Sequence, residues 1–275
     1  MIQTLDEAGQ STVTRFEPKN ADEHYDLLPE YAAIREKESR EIFLPFIEAT
    51  DKFGKLISRL IYLLGYSAPI DTQDIVVRDV AADIFDFLYK SRASILSGEL
   101  HVAYPLMRRA FESLCLLHAC ILHKDIAEKW QGGKKLENRE LRKILAEHPM
   151  GESETHLKEL YGFFSRATHP NREMLASRRL GQGNKYVLGA ISMPEPIVMV
   201  DHCMKVLELW FWLSALITHH YKERLTQSHR DYMQLYYEAV DFEKKVYEWL
   251  ADQFNRLLPE AQAEARKVLS NSNSQ

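Results

Sequence analysis

Arginine, glutamate and histidine, three side chains able to hold charge or move protons, gather in two short stretches of this chain. In Pro105-Leu-Met-Arg-Arg-Ala-Phe-Glu-Ser-Leu-Cys-Leu-Leu117, Arg108 and Glu112 stand four residues apart. On a helix that spacing places both on one face, where their side chains meet. Arg109 follows about 100° further round the axis. In Leu160-Tyr-Gly-Phe-Phe-Ser-Arg-Ala-Thr-His-Pro-Asn171, Ser165 and His169 share the same spacing, and Pro170 and Asn171 close the stretch. At a helix C-terminus the macrodipole favours a protonated His169. If the two stretches pack together, Arg108, Glu112, Ser165 and His169 line one polar pocket, in which the glutamate sets the charge or tautomer of the histidine.

Such a pocket has two readings. As a catalytic set, Arg108, Glu112 and His169 would handle protons and charge, with Arg109, Ser165 and Asn171 binding the substrate. As a structural clamp, the same residues would fix helix register, since ion-pair networks perturb charge states without any function. The clamp is the preferred reading. The segment around Arg108 is apolar, so its charges must be paired. Breaking a pair buried there would cost about 3–5 kcal/mol. Arg178 and Arg179, with Lys185 and Tyr186, form a basic loop that could hold phosphates and stack bases of RNA. A solvated surface loop is the preferred account.

Other chemistries lack their spacing. No histidine has a glutamate three residues before it, which removes the di-iron bundle motif. His-Glu-x-x-His is absent, as is the Gly-x-Ser-x-Gly elbow. Gly132-Gly133-Lys134-Lys135 lacks the spaced glycine and the hydroxyl residue of a phosphate loop. Gly181-Gln182-Gly183 lacks the third glycine of a dinucleotide turn. His219 and His220 are adjacent, so on a helix they point apart and read as a surface or interfacial pair. No metal and no cofactor is expected.

The elements that must position these residues are helices. Only 11 glycines and 10 prolines punctuate 275 residues, and apolar stripes recur at helical spacing. The pattern predicts helices from about Tyr31, from Pro45 to Leu64 with Gly65 as a stop, and from Asp71 or Thr72 to Ser97 with Gly98 as a left-handed cap. Further helices are predicted over Leu100–His123, Glu137–Glu147 and Glu152–Thr168. A capping box at Ser192–Glu195 opens a long helix to about Leu225, and a last helix runs from Ser228 to Leu258, ending at Pro259. Between Phe111 and Leu122 the chain is apolar nearly all round, so that helix belongs at a bundle centre. The last helix carries Tyr232, Tyr236, Tyr237, Tyr247 and Trp249, in keeping with core packing or with a dimer surface. The partition expected is a polar, loosely ordered N-terminal arm over residues 1–30 and a single helical bundle domain over 31–270.

Composition bounds the partners. A net charge of −5 gives no bulk basic field for nucleic acid. Three cysteines without a Cys-x-x-Cys pair suggest buried thiols in a reducing compartment. The opening MIQTLDEAGQSTVTRFEP has no apolar core of a signal peptide. Leu209–Thr218 is too short to span a bilayer. A cytoplasmic protein without membrane contact is expected.

The Arg108–Glu112 and Ser165–His169 stretches together resemble a group of uncharacterised bacterial helical proteins related to the HEPN superfamily and to abortive-infection proteins. In that group an Arg-x-x-x-Glu helix is followed by a Ser-x-x-x-His turn near a helix end. The resemblance implies an all-α, multi-helix, HEPN-like bundle, often a homodimer, and in its better-known members RNA cleavage or nucleotide binding. Those members carry Arg-x4-6-His late in a helix. Arg142-x5-His148 and Arg224-x4-His229 match here, but eleven histidines give roughly two matches by chance, so the motif decides nothing. The expectation is a binding or interaction component of a stress or phage-defence system. The alternative is a HEPN-like, metal-independent ribonuclease or nucleotide-handling enzyme using His169 with Arg108, Arg109 and Glu112.

Overall fold

The apolar stripe of Phe46, Phe53, Leu56, Ile57, Leu60 and Leu64 is buried along a single helix, and the same pattern builds the rest of the molecule. The computed structural model describes residues 2–5, 11–14, 20–66, 70–149, 151–168 and 196–272. Its helices are α1 (Ala21–Asp26), α2 (Leu28–Ile42), α3 (Leu44–Tyr66), α4 (Thr72–Leu96) and α5 (Leu100–Leu122). They continue as α6 (Lys124–Gln131), α7 (Asn138–Glu147), α8 (Glu154–Thr168), α9 (Pro196–Ser228) and α10 (Tyr232–Ser272). The fold is an all-α bundle preceded by a short hairpin. No helix among the described residues is long and apolar enough to cross a membrane.

Helix ends follow local chemistry. The Asp71 side chain caps α4 by accepting from the Asp74 backbone N–H at 2.9 Å. Gly98, at φ +80°, ends α4 as expected. Glu99 N–H donates to Ser94 O at 2.7 Å and Gly98 N–H to Ile95 O at 3.0 Å, the paired bonds of a Schellman stop. The chain breaks at Phe43 and restarts as α3, with Pro45 in its first turn, where its missing N–H costs nothing.

Three expectations are corrected. Residues 2–5 and 11–14 pair as an antiparallel hairpin, β1 and β2, with Ile2 opposite Thr14. The helix α1 follows within the stretch read as an arm. Four-residue strands are too short to leave a period, though Ile, Thr and Val suit them. The second correction is that α3 passes through Gly65 to Tyr66. The third is that α10 runs through Pro259 to Ser272. A proline removes one helix N–H and displaces the carbonyl four residues back. That residue, Asn255, is exposed, so water can satisfy the carbonyl.

Two helices form the centre. One is α5, which packs on α4, α6, α7, α8 and α9, as its all-round apolar sequence predicts. The other is α9, which packs on α3, α4, α5 and α10 and buries Leu209, Trp210, Trp212 and Leu213. Cys115, Cys120 and Cys203 are free and buried in this core, and burial pushes all three thiols up. Trp249 of the aromatic last helix meets Phe43 edge-on at 6.2 Å, while Tyr237 and Tyr247 stay exposed.

Candidate functional site

On α5, Arg108 and Glu112 meet as their spacing requires, with Arg108 Nε donating to Glu112 Oε1 at 3.0 Å. Each side chain keeps 24% of its surface in solvent. The pair is therefore half-buried at the helix surface and not sealed in the core. Arg108 Nη2 donates to the Tyr161 hydroxyl of α8 at 3.4 Å, and its guanidinium carbon lies 5.5 Å from the Tyr161 ring centroid. The Arg142 guanidinium of α7 sits over the same ring at 3.9 Å. Arg142 Nη1 donates to Asn138 Oδ1 at 2.5 Å, and Asn138 Nδ2 donates to the Glu112 backbone carbonyl at 3.5 Å. The contacts form a closed ring of five residues on three helices.

Aromatic packing holds α8 in place beside this ring. Phe111 of α5 lies 5.5 Å from Phe164, and Tyr104 lies 5.8 Å from Phe163. Ser165 stands one turn beyond Tyr161 on α8 and is half-buried. The contacts of α5 with the helix leading to His169 run through Tyr161, Phe163 and Phe164. His169 itself lies outside the described residues, as do Asn171, Arg178, Arg179, Lys185, Tyr186 and the Ser192–Glu195 box.

Arg109 faces a different way. Its guanidinium carbon is 5.9 Å from the Phe87 ring of α4. It lines a cleft of about 790 Å³ with Asp79, Asp83, Glu112, Trp130 and Lys134. Ser113 Oγ donates to Asp83 Oδ2 at 3.3 Å beside it. This cleft mixes both charge signs against one indole. It has the makings of a polar binding surface, and among the described residues its lining includes no histidine and no cysteine. Among the described residues, no group of histidine, cysteine, aspartate and glutamate could hold a metal ion.

The ring partners Tyr161, Arg142 and Asn138 were not legible as site residues. Tyr161 reads in the sequence as part of an apolar face, and nothing local links it to Arg142. A second network was missed altogether. Asp74, at the start of α4, accepts from the Tyr221 hydroxyl at 2.8 Å and from Arg224 Nη1 at 2.7 Å, both on α9. Burial, then the Asp74 bond, pushes the Tyr221 hydroxyl well above its ordinary range, so it stays a donor. The arginines of both chance-level Arg-x4-6-His matches are taken up by these networks. Arg142 serves Tyr161 while His148 faces His123 at 5.3 Å, and Arg224 serves Asp74.

Comparison of the chain with family models, with curated proteins and with solved structures finds no match.

Proposed function

We propose that this chain is a binding or interaction component, with the Arg108–Glu112 pair acting as a clamp and not as a catalytic set. The observation that carries this is the closed ring: Arg108, Glu112, Tyr161, Arg142 and Asn138 engage one another across α5, α7 and α8. A catalytic arginine needs its donors directed at a substrate, whereas two of these point at partners within the fold. The mixed-charge cleft at Arg109 is the binding surface best supported beside the clamp. A role in bacterial stress or phage defence is part of this reading, and the resemblance of the two stretches to HEPN-related and abortive-infection proteins supports it. On the same ground, and on the exposed Tyr237 and Tyr247 of α10, the chain works as a cytoplasmic homodimer.

The test is an RNA degradation assay run beside thermal melts on the wild type, Glu112→Ala and His169→Ala. The expected result is no degradation by any of the three and a lowered melting temperature for Glu112→Ala. RNA cleavage by the wild type that vanishes in His169→Ala at an unchanged melting temperature would replace this reading. The chain would then be a HEPN-like, metal-independent ribonuclease using His169 with Arg108, Arg109 and Glu112. Sedimentation of the same preparation at micromolar concentration should give a dimer, and a monomer there removes the homodimer.

A further inference from the structure

Five of the eleven histidines come together at one end of the bundle. His118 of α5, His148 at the end of α7, and His219 and His220 of α9 line one cleft of about 720 Å³. His123 meets His148 edge-on, with ring centroids 5.3 Å apart. The volume lies within the range of about 300–1,000 Å³ common to small-molecule sites. Trp212, Leu216 and Ile121 give the cleft apolar walls. Among the described residues the lining holds one carboxylate, Glu152, and no lysine or arginine.

We propose that this cleft binds a small organic acid, with the acid group on its imidazoles and the apolar body against Trp212 and Leu216, and that binding takes up a proton. Among the described residues the lining supplies no permanent cation, and its imidazoles are the groups that can carry positive charge. Histidine is the side chain whose unperturbed charge changes between about pH 5 and 8. Neutral imidazoles also donate, but only a protonated one offsets Glu152 and attracts an anion.

The groups around the cleft decide which imidazole does this. Burial holds His220 below the ordinary imidazole range. Asp74 and Asp71 of α4 work against that effect, and His219 and Arg224 of α9 add to it. Arg224 is paired with Asp74, and Lys124 of α6 with Asp71 at 3.1 Å, so neither cation is directed into the cleft. Tyr236 of α10 has its hydroxyl pushed up by burial and stays neutral. His118 is only 3% exposed. His148 is half-buried, while His219 and His220 are both exposed, so these three imidazoles reach solvent protons.

The full chain can be titrated with 8-anilinonaphthalene-1-sulfonate, an apolar body bearing one fixed negative charge, at pH 5.5 and pH 8. Its uncharged counterpart, N-phenyl-1-naphthylamine, serves as a parallel probe. Uptake of one proton on binding makes the sulfonate bind tighter at pH 5.5 than at pH 8, by about tenfold or more. The neutral probe should show no such factor. His219→Asn changes an exposed residue and leaves the core intact. Combined with His148→Asn and His220→Asn, it should bring the factor to about one. Trp212→Phe should remove most of the tryptophan quenching by the sulfonate. Equal sulfonate binding at both pH values would overturn the proposal. So would a pH factor that survives the triple substitution, or an equal factor for the neutral probe.

Discussion

The two tyrosine-centred networks use the same residue types, an arginine, a carboxylate and a tyrosine, and differ in how the partners are brought together. Around Tyr161 the ion pair is Arg108 with Glu112, one turn apart on α5. Helix geometry alone would join them. Around Asp74 both donors come from α9, 147 and 150 residues along the chain. Any helical α5 contains the first pair, whereas only the assembled bundle makes the second. A contact that the helix supplies before folding adds little to the stability of the fold. One made only on folding adds its full worth and exacts a full penalty when broken.

The largest effect is therefore expected at Asp74. Asp74→Ala leaves the hydroxyl of Tyr221, a residue 2% exposed, without an acceptor and Arg224 without its counter-charge. Arg224 keeps 35% of its side chain in solvent, so the cost rests mainly on the unsatisfied Tyr221 hydroxyl and comes to about 2–4 kcal/mol. Denaturant unfolding of this variant should show a loss of that size. A loss below about 1 kcal/mol would put the network in the class of surface pairs and end the contrast.

His202 stands between the two cases, because its hydrogen bond is local while its burial is tertiary. Its Nδ1 lies 2.5 Å from the Val198 carbonyl one turn back, which fixes the N–H on that nitrogen. Its Nε2 is buried with no hydrogen-bond partner among the described residues. The Tyr104 ring closes the site edge-on at 4.1 Å. Protonating Nε2 would bury a cation, so burial pulls the pKa from 6.5 down to about 4. The folded value lies below the unfolded one, so the unfolded chain takes up its proton first as the pH falls. The contribution is complete above about pH 6.5 and is lost towards pH 4, by about 3 kcal/mol. Unfolding free energies of the wild type and His202→Gln at pH 7 and pH 4.5 should differ in slope by roughly that amount. Equal slopes would mean that water reaches Nε2.

The same division explains what could be read in the sequence. The longer helices buried on one stripe announced themselves by period, and the Gly98 stop by residue type, whereas α1 and α6, of six and eight residues, are too short for a period to show. Arg108 and Glu112 were legible because their meeting depends only on helix spacing. Tyr161, Arg142 and Asn138 were not, because their convergence depends on how α7 and α8 lie against α5. Asp74, Tyr221 and Arg224 left no local trace, since an aspartate in a first helical turn already has a sufficient role there. Pro259 misled because the rule for proline assumes a carbonyl that cannot reach water. The histidine cleft is the extreme case, drawing on α5, the end of α7 and two adjacent residues of α9.

Glu112→Ala carries the smallest effect and sharpens the comparison most. An apolar segment suggested a buried pair and a cost of about 3–5 kcal/mol. The observed 24% exposure of both side chains lets water approach the guanidinium. Without Glu112, Arg108 keeps its bond to the Tyr161 hydroxyl and its place near the ring. The Asn138 bond survives as well, because it is made to the backbone carbonyl. The expected cost is therefore about 1–2 kcal/mol, between an exposed helix pair and a buried one. A measured cost above about 3 kcal/mol would show that the ring acts as a buried unit, equal to the Asp74 network. A cost near about 0.3–0.5 kcal/mol would show the opposite, that the pair belongs to α5 alone. The stacking of Arg142 on Tyr161 would then be what holds α7 and α8 together.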